Sequence, residues 1–159
     1  SIGLWICLRT SMIRQATRHD IPVLVWMMRE YAKEAPIPVL TNPEAHNSDH
    51  VGQLIFQLLS GRGFILIDDD HRGMIAAIIT PNVWCPKVLE LRELAWWVMP
   101  EHRGKSIGGK LWIKFDELAQ DMLNDKRVDF VCTTVMANSP LIDYTKRGYQ
   151  ALEVTFFRD

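Results

Sequence analysis

Glu93-Leu-Ala-Trp-Trp-Val-Met-Pro-Glu-His-Arg-Gly-Lys-Ser-Ile-Gly-Gly-Lys-Leu111 reads as a buried strand ending at Met99-Pro100, then a basic turn bearing glycines, then the first turn of an amphipathic helix. The first turn of a helix has backbone N–H groups without intrahelical partners, and the peptide dipoles add partial positive charge there. Gly104, Gly108 and Gly109 remove side chains that would hold a ligand away from those groups, and Arg103, Lys105 and Lys110 add formal positive charge. Each hydrogen bond to a charged group contributes roughly 1.5–3 kcal/mol, so a few N–H groups converging on a pyrophosphate suffice to hold a cofactor. The segment is therefore an anion site.

Two other phosphate motifs fail on spacing. Gly104-Lys105-Ser106 imitates the end of a Walker A loop, which needs a glycine where this chain has Met99. A dinucleotide fingerprint needs G-x-G-x-x-G after a first strand, and that spacing does not occur.

Arg103-Gly104-Lys105-Ser106-Ile107-Gly108, led by Val98-Met99-Pro100, resembles motif A of the GNAT superfamily of acyl-CoA-dependent N-acyltransferases, written (Q/R)-x-x-G-x-(G/A) with a V-x-P lead-in. Ser106 stands at the central glycine of that pattern. The alternative is an ordinary strand-to-helix turn with a solvated basic face.

Composition sets the outer limits. A chain of 159 residues has the size of one domain, and 48% apolar content is enough for a single core. A net charge of -1 gives no basic excess pointing to nucleic acid. Cys7, Cys85 and Cys132 are odd in number and far apart, so reduced thiols in a cytoplasmic protein are the plain reading. No apolar run approaches the roughly 20 residues that span a bilayer, and no membrane association is expected.

Residues 1–11 read as an upstream translation or expression scar, or as an extra edge strand over Leu4–Leu8, because Met12-Ile13-Arg14 looks like a native start. Residues 12–159 then form one domain. Ile13–Ala16 is a short strand, Asp20 caps a helix with Pro22 in its first turn, and Pro36 stops that helix near Ala35. Val51, Leu54, Ile55 and Leu58 mark a second helix ended by Gly61 and Gly63. Phe64–Ile67 and Met74–Thr80 are strands joined by a solvated acidic hairpin tip, Asp68-Asp69-Asp70, whose spacing lacks the ligand pattern of a calcium loop. His46 and His50 lack a third metal ligand nearby in sequence, and no metal is expected.

Val88–Val98 is a long strand, and Ile107, Leu111, Phe115, Ala119 and Met122 line one face of the next helix. Val128–Val135 is a further strand, Ser139-Pro140 starts a short helix ended by Gly148, and Tyr149–Phe157 is the last strand. The order β-α-α-β-β-β-α-β-α-β makes a mixed α/β sheet with helices on both faces, and it matches the GNAT fold from Met12 onward.

The resemblance implies acetyl-CoA or another acyl-CoA as co-substrate. Its pantetheine arm would pair with the backbone of Trp97, Val98 and Met99, and its pyrophosphate would sit on the turn from Arg103 and Gly104 through Lys105, Ser106, Ile107, Gly108 and Gly109 to Lys110. Asn138 resembles an asparagine that contacts the arm, one residue nearer the tyrosine than the pattern expects. A lysine-like amine has a pKa of about 10.4, so freeing its lone pair at neutral pH costs about 4–5 kcal/mol unless a base helps. Glu93, a carboxylate in an apolar strand at a position where family members carry a base, takes that role, and Glu90 is the second candidate. Tyr144 in Asp143-Tyr144-Thr145-Lys146-Arg147-Gly148-Tyr149 resembles the family's Y-x-x-x-G-F segment and would protonate the departing sulfur. The structural alternatives are a Glu93 that bonds Arg92 or a neighbouring strand and a packed core tyrosine. Trp96 and Trp97 read as sheet core, while Trp84 and Cys85 could line the acceptor side.

The leading expectation is an N-acetyltransferase acting on a primary amine of a small molecule or protein. The alternatives are a non-catalytic acyl-CoA-binding module and a toxin-like acetyltransferase of aminoacyl-tRNA. A homodimer stays open.

Overall fold

The computed structural model describes residues 12–139 and 142–159. The alternative strand at Leu4–Leu8, Cys7 and the helix start at Pro140 lie outside the described residues. Five strands form one sheet in the order β1 to β5: Ile13–Gln15, Gly63–Asp68, Gly73–Pro81, Leu89–Val98 and Phe130–Cys132. The first four are antiparallel neighbours, and β5 joins β4 in parallel. Helices α1 (Ile21–Lys33), α2 (Pro38–Thr41) and α3 (Ser48–Gln57) lie between β1 and β2, and α4 (Ile107–Asn124) connects β4 to β5.

Both faces of the sheet are buried, which is why its central strands read as unbroken apolar runs. In β2, Phe64 and Leu66 pack with Leu111, Phe115 and Met122 of α4, while Ile65 and Ile67 pack with Leu24, Met27 and Ile55 of α1 and α3. The stripe of α4 is thus one core and the α1–α3 pair covers the other, each fully buried large side chain contributing roughly 1.5–3 kcal/mol. Gly63 has no room for a side chain within the sheet. A Cβ there would stand 2.0 Å from the Ala77 carbonyl oxygen across the β2–β3 ladder. Gly63→Ala is therefore expected to cost about 3 kcal/mol, read as a lower denaturation midpoint; an unchanged midpoint would show that the ladder yields there.

The register of β3 on β4 shifts once. Ala76 faces Ala95 and Ala77 faces Glu93, so Leu94 is an extra residue in β4. Such a bulge turns the side chains beyond it to opposite faces. Leu91 packs on the α4 side, and so do Trp96 and Val98, whereas Ala95 and Trp97 join the α1–α3 side. Strict alternation from Leu91 would have exchanged Trp96 and Trp97.

Several expectations are corrected. Asp20 precedes α1 without capping it through its side chain; its carboxylate instead takes both Arg14 Nη atoms (2.8 and 2.9 Å) and the Thr17 N–H. The acidic tip is not simply solvated: Asp68 is buried and grips Arg72, and Asp69 holds Arg14. The strand expected over Val128–Val135 shrinks to Phe130–Cys132 because the chain leaves β4 after Cys132. Among the described residues the short helix expected before Gly148 is a 3-10 turn, Tyr144–Arg147. Tyr149–Phe157 forms no strand, and Leu152, Val154 and Phe156 are exposed. Their period-2 pattern suits a strand, but a strand also needs an edge to pair with, and β5 is only three residues long.

Candidate active site

β4 and β5 pair over only three rungs, Glu90–Phe130, Leu91–Val131 and Arg92–Cys132. Beyond Arg92 the two segments part, and a cleft of about 640 Å³ opens between them, walled by Glu93, Trp96, Trp97 and Val98 on one side and by Thr134, Val135, Met136, Asn138 and Ser139 on the other. One edge of β4 bonds β3 throughout; past the fork, its other edge faces the cleft. The Met99 N–H donates to Arg72 O on the β3 side, so the carbonyl of the same peptide unit, Val98 C=O, points the opposite way, into the cleft.

Glu93 stands at the fork and is 7% exposed. The Thr134 hydroxyl donates to its Oε2 at 3.1 Å, joining the two parting strands by a side-chain bridge where the backbone ladder has stopped. Burial raises the carboxyl pKa to about 7, with Thr134 pulling it partly back. Among the described residues no cation pairs with Glu93, whose hydrogen bond goes to Thr134 of the neighbouring segment rather than to Arg92; Glu90 takes Asn82 and Arg92, whose hydrogen bonds hold its pKa below the usual carboxylate range. Two phenols feel the Glu93 charge. Tyr31 of α1 lines the cleft, and burial, with the Glu93 charge second, pushes its pKa up to about 12. Tyr144 is also raised, by burial first and then by Glu93.

The far end of the cleft is the glycine turn. Gly104 has φ +77°, a left-handed conformation that glycine adopts without strain, and a 3-10 turn at Pro100–His102 precedes it. The side chain of Ser106, at the N-cap of α4, makes no capping bond, so the first-turn N–H groups of an 18-residue helix are left for a ligand. Gly104, Lys105 and Gly108 line the cleft there, and Cβ atoms added at Gly104 or Gly109 would meet nothing. An uncapped helix end beside an unpaired strand edge fits an acyl-CoA: the turn would hold its diphosphate, and Trp97 to Met99 its strand-like arm.

The expected residues are not all brought together. Trp97, Val98, Arg103, Gly104, Lys105, Gly108 and Asn138 line the cleft with Glu93. The Ile107 side chain belongs to the core, and Met99 packs at the edge of the other one; they, Ser106, Gly109 and Lys110 are not on the wall. Asn138 donates to the Glu34 carbonyl at 3.4 Å. Tyr144 is set back in an aromatic cluster with Trp112 and Tyr149, at ring centroid distances of 5.6 and 6.2 Å, and among the described residues its buried hydroxyl makes no well-formed hydrogen bond beyond a Thr133 side-chain contact. Trp84 is fully displayed on the loop after β3 and does not line the cleft. Tyr31, Glu34 and Thr134 escaped sequence reasoning, because nothing local marks the end of α1 or the start of the divergence as facing β4. Among the described residues no group of three or more His, Cys, Asp or Glu could hold a metal, and no helix is long and apolar enough to cross a membrane.

Solved structures share this architecture. A predicted acetyltransferase with acetyl-CoA from Clostridium acetobutylicum is 15% identical, with a TM-score of 0.69 over 94% of this chain and 96% of that one. A GCN5-related N-acetyltransferase from Ralstonia eutropha is 17% identical, with a TM-score of 0.68 over 94% and 98%. A putative acetyl transferase from Pyrococcus furiosus is 19% identical, with a TM-score of 0.65 over 94% and 99%. At these identities the likeness shows the fold alone. No curated protein matches the sequence. The model of the acetyltransferase (GNAT) family does, from residue 25 in α1 to residue 149 beyond the cleft, and on that match over most of its length the chain belongs to the GNAT acetyltransferase family and is an acyltransferase.

Proposed function

We propose that the protein is an N-acetyltransferase that passes the acetyl group of acetyl-CoA to a primary amine by direct attack, with Glu93 as general base and Tyr144 as general acid. The observation that carries the reading is the fork: β4 and β5 separate directly after Arg92 and Cys132, and Glu93 is the first residue of β4 inside the opening. Acetyl-CoA seated there supplies a thioester carbonyl carbon. The chain's residues do the rest. The turn at Arg103 to Gly108 anchors the diphosphate, and the free edge of β4 aligns the arm so that the reacting carbon stands near Glu93. Glu93, with a pKa near 7, takes the ammonium proton and leaves the amine lone pair free. The nitrogen–carbon bond forms, the carbon–sulfur bond breaks as Tyr144 gives its proton to the sulfur, and the second proton on the acylated nitrogen restores the phenol. Burial keeps that phenol protonated.

One observation favours a second reading, a module that binds acyl-CoA without turnover: Tyr144 is not on the cleft wall. Thiol release from acetyl-CoA, followed with panels of amines, peptides and aminoacyl-tRNA, decides between them. Release with an amine and about a tenfold lower kcat in Tyr144→Phe, with CoA affinity unchanged, is the expected result. Full kcat in Tyr144→Phe removes the acid, and CoA binding without release for any acceptor selects the second reading.

A further inference from the structure

Arg103, the first basic residue of the anion turn, does not extend toward the helix end. Its Nε donates to the Val98 carbonyl at 2.8 Å, and its Nη2 donates to Glu34 Oε1 at 2.6 Å. The guanidinium therefore lies across the free edge of β4, on the carbonyl that the strand geometry aims into the cleft. Glu34, one residue past the end of α1, is tied to three walls at once: its carboxylate accepts from Arg103 and, at 3.3 Å, from Trp97 Nε1, and its backbone carbonyl accepts from Asn138. Glu34 lines the same cleft, on the same helix face as Tyr31 one turn earlier.

We infer that Glu34 competes with the ligand's diphosphate for Arg103, holding that side chain folded over β4 as a latch on the anion end of the cleft. The inference rests on the acyl-CoA reading above. A diphosphate on the first turn of α4 offers a guanidinium more negative charge than one carboxylate does, and it accepts the same two-pronged contact. When Arg103 turns to it, the Val98 carbonyl is released for the arm of the ligand, and the end of α1 loses its charged tie to the turn. Filling the anion end thus removes one of the three ties on Glu34 and leaves those from Trp97 and Asn138.

Both partners are 44% exposed, so solvent weakens the pair and the competition is modest, worth about two- to fivefold in affinity. Calorimetric titration with CoA of the full chain, Glu34→Gln, Arg103→Ala and the double variant tests it. Expected are two- to fivefold tighter binding in Glu34→Gln, weaker binding in Arg103→Ala, and no gain from Glu34→Gln once Arg103 is gone. Unchanged or weaker binding in Glu34→Gln overturns the latch. So does a gain that persists in the Arg103→Ala background, because removing a negative charge near an anion site would then explain it without any folded-back arginine. Absence of CoA binding in the unsubstituted chain would refute the acyl-CoA reading itself. Melting curves of the four proteins separate an altered site from an altered fold.

Discussion

Glu93→Gln is expected to lower kcat by about a hundredfold or more while CoA affinity stays within about twofold, since the amide keeps the size of the side chain and a bond to Thr134 but cannot take a proton. The pH dependence makes the expectation specific. With a pKa of about 7, the unsubstituted enzyme gains kcat/KM as pH rises through 7, when Glu93 ionises; the variant keeps only a residual rate without that limb. Stability moves the other way. Burial raises this acid above its ordinary 4.5, so between those values the folded chain holds a proton that the unfolded chain has lost. The contribution is intact below pH 4.5 and is lost as pH rises through 7, about 3 kcal/mol in all. The glutamine variant escapes that loss and should be the more stable protein at pH 8 and an equal at pH 4. A variant with full kcat, or one whose melting temperature follows pH as the parent does, would remove Glu93 from its role. The two readouts are independent, because a merely structural carboxylate would shift the melting profile without touching the rate.

For Gly108→Trp the expected result is a loss of at least about a hundredfold in CoA affinity in a protein that melts within a few degrees of its parent. A Cβ at Gly108 would stand 3.5 Å from Val98 and 3.8 Å from Trp96, ordinary contact distances, so the backbone itself is not what forbids a side chain there. An indole continuing from that position, on the cleft wall at the anion end, crowds first-turn N–H groups that the Ser106 side chain does not cap. Gly108→Ala, whose single methyl fits those distances, should lose little. Undiminished CoA binding in the tryptophan variant would place the diphosphate elsewhere, and with it the orientation of the whole cofactor.

Much of this was legible before any coordinates. The strand, glycine turn and helix from Glu93 to Leu111 follow from local chemistry, because a helix stripe at Ile107, Leu111, Phe115, Ala119 and Met122 has one face to bury and a glycine turn has few conformations that feed it. The unbroken apolar runs of β2 and β3 likewise announce strands buried on both faces. The carboxylate inside the apolar strand drew attention for the same reason: an acid there must be paired or protonated, and Glu93 is held near neutrality.

What the sequence did not settle is everything that depends on where two distant segments meet. The bulge at Leu94 decides which tryptophan faces which core, and it leaves no mark in the residues because alternation fails by only one position. The fork after Cys132 cut a strand expected to reach Val135 down to three residues, since a β-prone run pairs only as far as its neighbour stays within hydrogen-bond reach. The same dependence left Leu152, Val154 and Phe156 unpaired despite their strand pattern. Tyr144 kept its motif yet sits behind the wall, and Glu34, which no motif marks, ends up on Arg103. Local sequence determines which element a segment favours, because backbone sterics and hydrophobic periodicity act within a few residues. Tertiary packing alone decides which side chains share a cleft, because that depends on distances between segments far apart in the chain.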